Sequence, residues 1–304
     1  MVNMTDSGSE TRVLVTGCNG QLGLELQRLY REGRFKEGPI LFADRDVLDI
    51  CSWSDVRGFL GTNRIDVVIN AAAYTNVDKA ETDSKSAYAV NRDGVCVLAQ
   101  VCAELGVYLV HVSTDYVFDG RHDEPYREDE PTNPIGVYGA SKRAGEEKML
   151  GEADLNGVIV RTAWLYSAFG KNFVKTMLRL SREREDVHVV ADQFGSPTWA
   201  RDLAEALLVM IGAAHRRHKR GVEIYHYTNE DQCSWCEFAM AVMHLTHAAC
   251  VVDPIATAEY PTTCQRPMYS VLDKTKIQRV YGLHIPTWEA SLEKMLQDPE
   301  LKIH

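Results

Sequence analysis

Short apolar runs alternate with longer amphipathic stretches along the first half of the chain. Arg12–Thr16, Pro39–Ala43, Asp66–Asn70, Tyr108–Val112 and Val158–Val160 are nearly unbroken apolar runs rather than alternating ones. A strand of that kind is buried on both faces, as in a parallel sheet covered by helices. Between the runs, Leu22, Leu26, Leu29 and Tyr30 recur at helical spacing. Ser52–Leu60 reads as a helix, and Val97, Leu98, Val101, Cys102 and Leu105 share one face of another. Strand–helix alternation with right-handed crossovers predicts an α/β fold, a Rossmann-like doubly wound parallel sheet. After about residue 165 the rhythm loosens. Helical patterns at Asn172–Glu183, Arg201–Ile211, Ser234–His247 and Trp288–Leu296 are separated by short strands and proline-containing loops, which predicts a smaller mixed α/β lobe.

Composition narrows the function classes. The chain has 304 residues, 45% hydrophobic and 25% charged, ample for a sizeable core. A net charge of −10 disfavours a nucleic-acid partner. The one basic run, His215–Arg220, falls between a helical and a strand pattern and reads as a solvated loop. Residues 1–10 are a polar tail without the apolar stretch of a signal peptide, and no run is long enough to span a bilayer. No membrane partner is expected, and the cytosol is the simplest compartment, with the eight cysteines reduced. Cys233-Ser234-Trp235-Cys236 has the spacing of half a zinc site, but no second pair completes it. Ser234 with Glu237 forms a capping box, so a helix start explains the segment better, and no metal is expected.

Three features carry chemistry. Gly17, Gly20 and Gly23 form G-x-x-G-x-x-G between the first strand and first helix. In that setting glycines allow a tight turn, and backbone amides at a helix N-terminus can meet a pyrophosphate. Asp44 closes the second strand where a carboxylate meets an adenosine ribose, which favours NAD. Arg45 follows and can instead hold a 2′-phosphate, so NADPH and NADH both stay open. Tyr138 and Lys142 lie four apart, one turn apart on a helix. An ammonium near a phenol lowers the phenol's pKa, which suits proton exchange with a carbonyl. Ser113, Thr114 and Asp115 follow a buried strand, where open parallel sheets bind ligands; loop hydroxyls there equally satisfy backbone groups.

Together with Asn70-Ala71-Ala72-Ala73, these motifs resemble the extended short-chain dehydrogenase/reductase superfamily. Ala73–Glu81, Arg161–Tyr166, Gly170–Phe173, Asp192–Thr198 and Arg266-Pro267 narrow the resemblance to the dTDP-4-dehydrorhamnose reductase family, over nearly the whole chain. The resemblance implies a dinucleotide-binding domain at 11–165 and a mainly substrate-binding lobe at 166–304, interleaved with the first. It implies NAD(P)H as cofactor, a nucleotide-diphosphate sugar as substrate, and reduction of the sugar's carbon-4 ketone. Gly17, Asn19, Gly20, Gln21 and Leu22 would meet the pyrophosphate end of the cofactor. Asp44 or Arg45, with Asp49 and Ile50, would meet the adenosine, and Ala73, Tyr74, Thr75 and Val112 the nicotinamide side. Tyr138 would donate the proton and Lys142 would bind the ribose and tune Tyr138. Thr114 and Asp115 would hold the sugar, and Asn91 matches the superfamily's active-site asparagine. Trp164, Asn172 and Arg266 would contact substrate. Some bacterial members are similar in using carboxylates and magnesium at a dimer interface. Glu25 and Glu289 match two of those positions, but Arg201 stands at the third, which opposes a metal; both glutamates are expected on helix surfaces, and monomer and homodimer stay open.

Two other readings stand beside this one. A nucleotide-sugar dehydratase or epimerase is one, although Asp115 is followed by Tyr116 rather than the glutamate that dehydration uses. A cofactor-binding regulatory subunit, similar to the β subunit of methionine adenosyltransferase, is the other. Alkylation of Cys18 is expected to crowd the glycine loop.

Overall fold

The computed structural model describes residues 10–214 and 220–302. The basic-run residues 215–219 and the first nine residues of the tail lie outside the described residues; Arg220 is exposed. Five strands follow the predicted runs: β1 (Val13–Thr16), β2 (Ile40–Ala43), β3 (Val67–Asn70), β4 (Tyr108–Thr114) and β5 (Gly157–Thr162). A sixth, Val222–His226, joins them from the second half of the chain. The sheet order is Val222–His226, β5, β4, β3, β1, β2, with every pair parallel. The chain leaves β1 toward β2 on one side and returns to β3 on the other. Such a reversal opens a crevice beyond the carboxyl ends of the strands.

The strands are buried on both faces because their side chains alternate between two helical layers. Val13, Val15, Val67 and Ile69 pack with the helices Gln21–Arg31 and Ala200–Ala214. Leu14, Val68 and Leu109 pack on the opposite face with Trp53–Asn63, Val95–Leu105 and Val137–Leu150. Leu105, the last residue of the shared helix face, is exposed. The helix ends there, and Gly106 (φ +69°) turns the chain away in the left-handed region that favours glycine.

The other half has its own core, in which Val174, Leu178, Phe238, Val242, Trp288 and Leu292 are buried. The helices Phe173–Glu183, Trp235–Leu245 and Trp288–Leu296 surround it, beside a parallel pair, Asp186–Val190 with Val251–Ile255. The capping box is present in both directions: Ser234 Oγ accepts from the Glu237 amide and Glu237 accepts from the Ser234 amide. Cys233 and Cys236 are buried free thiols. No helix among the described residues is long and apolar enough to cross a membrane.

Glu25 corrects an expectation. It is fully buried on the helix Gln21–Arg31, not on its surface. Ser167 Oγ donates to its Oε1 at 2.6 Å, while Oε2 is buried without a partner. Burial raises its pKa, against the Ser167 bond that favours the charge. Helical periodicity places Glu25 one turn from Leu22 and Leu29, and the layer formed by later residues covers that stripe. Glu289 is exposed as expected, and Arg201 pairs with Glu32.

Candidate active site

The crevice is a cleft of about 1160 Å³ that runs from the glycine loop to Trp164. One wall is backbone. Gly17 has φ +65°, and a Cβ there would overlap the Ala71–Ala72 backbone leaving β3. A Cβ at Gly23 would overlap the Cys18 backbone, so this glycine lets the helix sit tightly on the loop. Gly20 is the N-cap of Gln21–Arg31, with no side-chain cap and no acidic residue in the first turn. The positive helix end is therefore left without a side-chain counter-charge of its own first turn, and a diphosphate fits there. Asn19, Gln21 and Leu22 line this end. Asp44, Arg45, Asp49 and Ile50 line its rim; Asp44 Oδ1 accepts from the Arg45 amide at 2.8 Å, and the Arg45 side chain is exposed.

The other wall is made of side chains. Ala73, Tyr74, Thr75, Val112, Thr114, Asp115, Tyr138, Lys142 and Trp164 all line it. The Tyr138 ring meets Tyr116 edge-on, with centroids 5.6 Å apart. Burial pushes the Tyr138 phenol up to about 12; the Asp115 carboxylate adds to this and the Thr114 hydroxyl offsets part of it. The predicted lowering by Lys142 does not occur in this arrangement. Lys142 Nζ instead donates to the Val112 carbonyl at 2.7 Å and lies 3.4 Å from His111 Nε2. Burial pulls Lys142 down to about 8, against the charge of Glu146. Asp115 is pushed up to about 6 by burial, with bonds from Ser270 and Thr114 opposing. Thr114 Oγ1 donates to its Oδ1 at 2.9 Å, and Oδ2 is buried.

Beneath that wall, Arg161 of β5 holds Glu146 through Nε and Nη2, at 3.0 and 2.7 Å, and Ser113 donates to the same carboxylate. Both partners are buried. This pair anchors the helix that carries Tyr138 and Lys142 to the sheet.

Three predicted residues stand behind the cleft surface. Asn91 lies in a π-helical segment, Ala89–Gly94, a wider turn common at functional sites. Its amide accepts from the Tyr74 N–H at 2.8 Å, donates to the Tyr74 carbonyl at 3.0 Å, and donates to Ser141. It clamps Tyr74 against the helix that carries Tyr138 and Lys142. Asn172 caps Phe173–Glu183 and donates to Gln21 Oε1 at 2.9 Å. Arg266 pairs with Asp78 and lies 3.5 Å from Tyr116 Oη.

The family model described as RmlD substrate binding domain matches residues 11–300. The chain belongs to this family, the dTDP-4-dehydrorhamnose reductases. It is 40% identical over 292 residues to a dTDP-4-dehydrorhamnose reductase of Sinorhizobium fredii, covering 94% of this chain and 96% of that one. It is 39% identical to the spore coat polysaccharide biosynthesis protein SpsK of Bacillus subtilis, covering 95% and 98%. A crystal structure of dTDP-4-dehydrorhamnose reductase from Bacillus anthracis in complex with NADP has a TM-score of 0.86 at 40% identity, covering 95% and 99%.

Family motifs do not flag every cleft residue. Trp235 starts its helix and also stacks on Trp164, with centroids 3.5 Å apart and planes 8° apart, and Phe173 packs on Trp235. The capping pattern around Trp235 is real and hides this second role. Trp164 itself has φ +47°, a backbone strain of about 1–3 kcal/mol that surrounding packing must hold. Tyr116 and Lys171, for which the sequence suggests no site role, also line the cleft. Cys18 is buried against Gly23, and burial with the Asp44 charge raises its thiol. Its alkylation is therefore expected to be slow, which makes it a poor probe of the loop.

Proposed function

We propose that this chain uses NADPH or NADH to reduce the carbon-4 ketone of a dTDP-linked 6-deoxy-4-keto-sugar, with Tyr138 as the proton donor. The observation that carries this reading is the continuity of one cleft. A phosphate-ready glycine loop occupies one end, and Tyr138, Thr114 and Asp115 occupy the other. The relatives named dTDP-4-dehydrorhamnose reductase support the substrate class, and the related NADP complex supports the cofactor. When bound, the nicotinamide cofactor supplies the hydride.

The chain's own residues account for the rest. The raised phenol keeps Tyr138 protonated and ready to give its proton to the developing sugar alkoxide. Thr114 and Asp115 hold the sugar hydroxyls and carbonyl beside Tyr138, which converts an encounter into a positioned reaction. Asn91 keeps Tyr74, and so its stretch of the cleft wall, in register. Lys142, which lines the cleft one turn from Tyr138, would hold the ribose of the cofactor. Trp164, backed by Trp235, gives the sugar an apolar surface. Asp44 and Arg45 share the adenosine rim, so this reading covers both nicotinamide cofactors.

The test follows loss of reduced-nicotinamide absorbance with purified protein, either cofactor, and dTDP-4-keto-rhamnose made in situ. Substrate-dependent oxidation that collapses in Tyr138→Phe supports the reductase and the role of Tyr138. Intact cofactor binding without oxidation of dTDP-, UDP- or GDP-linked keto-sugars would instead favour a binding role without turnover.

A further inference from the structure

Behind Lys142 the sheet carries a row of polar side chains that the reaction above does not use. Thr16 of β1, Asn70 of β3 and His111 of β4 are partners in register on adjacent strands. All three are buried, with Asn70 and His111 fully so. Thr16 Oγ1 donates to Asn70 Oδ1 at 2.7 Å, and the Ala72 amide donates to the same oxygen at 3.2 Å. A backbone N–H is only a donor, so the atom it meets is the amide oxygen. That orients Asn70, and its Nδ2 then faces His111 Nδ1 at 3.0 Å. Nδ1 must accept, so the proton of the neutral imidazole sits on Nε2. Nε2 points at Lys142 Nζ, 3.4 Å away. His111 is not free to take a second proton, because burial and the Lys142 charge hold its pKa well below the usual value.

An N–H aimed at an ammonium has two donors and no acceptor. The same N–H aimed at a neutral amine has a lone pair to meet, while the amine still donates to the Val112 carbonyl. We propose that His111 is a positioning residue for Lys142: through its Asn70-fixed Nε2–H it tethers the neutral amine to β4 and releases the ammonium into the cleft. The contact is thus a proton-dependent tether for the residue read above as the ribose ligand, and its kinetic consequence rests on that reading.

Other charged or titratable groups near Lys142 must be weighed in any pH dependence. Glu146 and Tyr138 share its helix. Asp115 follows β4, and Tyr74 lines the same cleft. Arg161 on β5 is already paired to Glu146. Glu146 favours the ammonium, so it opposes the tether rather than producing it.

The first test is nuclear magnetic resonance of the full-length protein with isotope-labelled histidine, titrated from about pH 6 to about pH 11, which brackets ordinary and lowered lysine values. The expected result is a bare Nδ1 and protonated Nε2 for His111 throughout. Its Nε2 signal should move with a midpoint near the Lys142 value of about 8, and this movement should vanish in Lys142→Met. A protonated Nδ1, or an Nε2 signal unaffected by Lys142→Met, overturns the proposal. The second test compares kcat/KM against pH for His111→Phe and His111→Gln. Removing the donor in His111→Phe should raise the Lys142-dependent midpoint by about one unit, a tenfold change in protonation ratio. The glutamine keeps an N–H and should restore the profile. Equal losses in both variants with no moved midpoint indicate a merely structural histidine and overturn it. If no keto-sugar is turned over, the reductase reading fails, while the resonance experiment still decides the tether.

Discussion

The two walls of the cleft solve opposite problems. The glycine-loop wall is backbone, and its shape depends on side chains being absent: Gly17 and Gly23 let the loop pack against neighbouring backbone, and the helix that Gly20 opens has no side-chain cap. The Tyr138 wall depends on side chains being buried: Glu146, Arg161, Lys142, His111 and Asp115 all lie under it with almost no solvent. A backbone wall can be damaged by adding one methyl. A buried-charge wall is damaged by removing one partner, because the group left behind keeps its desolvation cost. Binding and chemistry should therefore be separable by mutation.

The sharpest separation is expected at Tyr138. Tyr138→Phe removes one hydroxyl and should lower kcat by about 10²–10⁴-fold, the range for a lost general acid. Cofactor affinity, measured by fluorescence titration, should stay within about threefold, less than 1 kcal/mol. A comparable loss of cofactor affinity would mean that the two walls are not independent. Next is Arg161→Met, which leaves Glu146 buried without its cation and should cost about 3–5 kcal/mol in denaturant unfolding. Unchanged stability would show that the carboxylate finds water, and that the wall is not dry.

On the backbone side, Gly17→Ala places a methyl against Ala71 and Ala72 in a left-handed conformation. It should cost about 1–3 kcal/mol and weaken cofactor binding at least about tenfold. An undiminished cofactor affinity would break the idea that this turn shapes the phosphate site.

Asp115 gives a pH-dependent form of the same contrast. Its carboxyl is raised to about 6 in the folded protein. Its contribution to stability is full below the unfolded value of about 4 and is lost as pH rises through about 6. Wild type should thus lose about 2–3 kcal/mol relative to Asp115→Asn between about pH 4 and pH 7. The same unfolding midpoints measured for both proteins across that range check the sign. The smallest effect should come from outside the cleft: Ser234→Ala removes half of the capping box and should cost about 1 kcal/mol, with kinetics unchanged.

The legibility of the molecule in its sequence follows the same division. β1, β3 and β5 were readable because uninterrupted apolar runs have few other uses, and the glycine loop because its spacing is meaningful only between a strand and a helix. Ser234 and Glu237 were readable because a capping box is made within four residues. Glu25 was misread because its helix is amphipathic on its own, yet the helix Ala200–Ala214 packs against that helix and Ser167 covers the carboxylate. The Tyr138–Lys142 spacing was readable, but Lys142's partners were not. Val112 and His111 are some thirty positions away in sequence.

Local pattern thus determined the strands, the glycine turn and which residues reach the carboxyl ends of the sheet, because period and turn chemistry act over a few residues. Only the tertiary structure decided the protonation of Tyr138, Lys142 and Asp115, the stacking of Trp235 on Trp164, and the tautomer of His111. Those properties depend on burial and on partners brought together by strand register, and neither is contained in spacing along the chain.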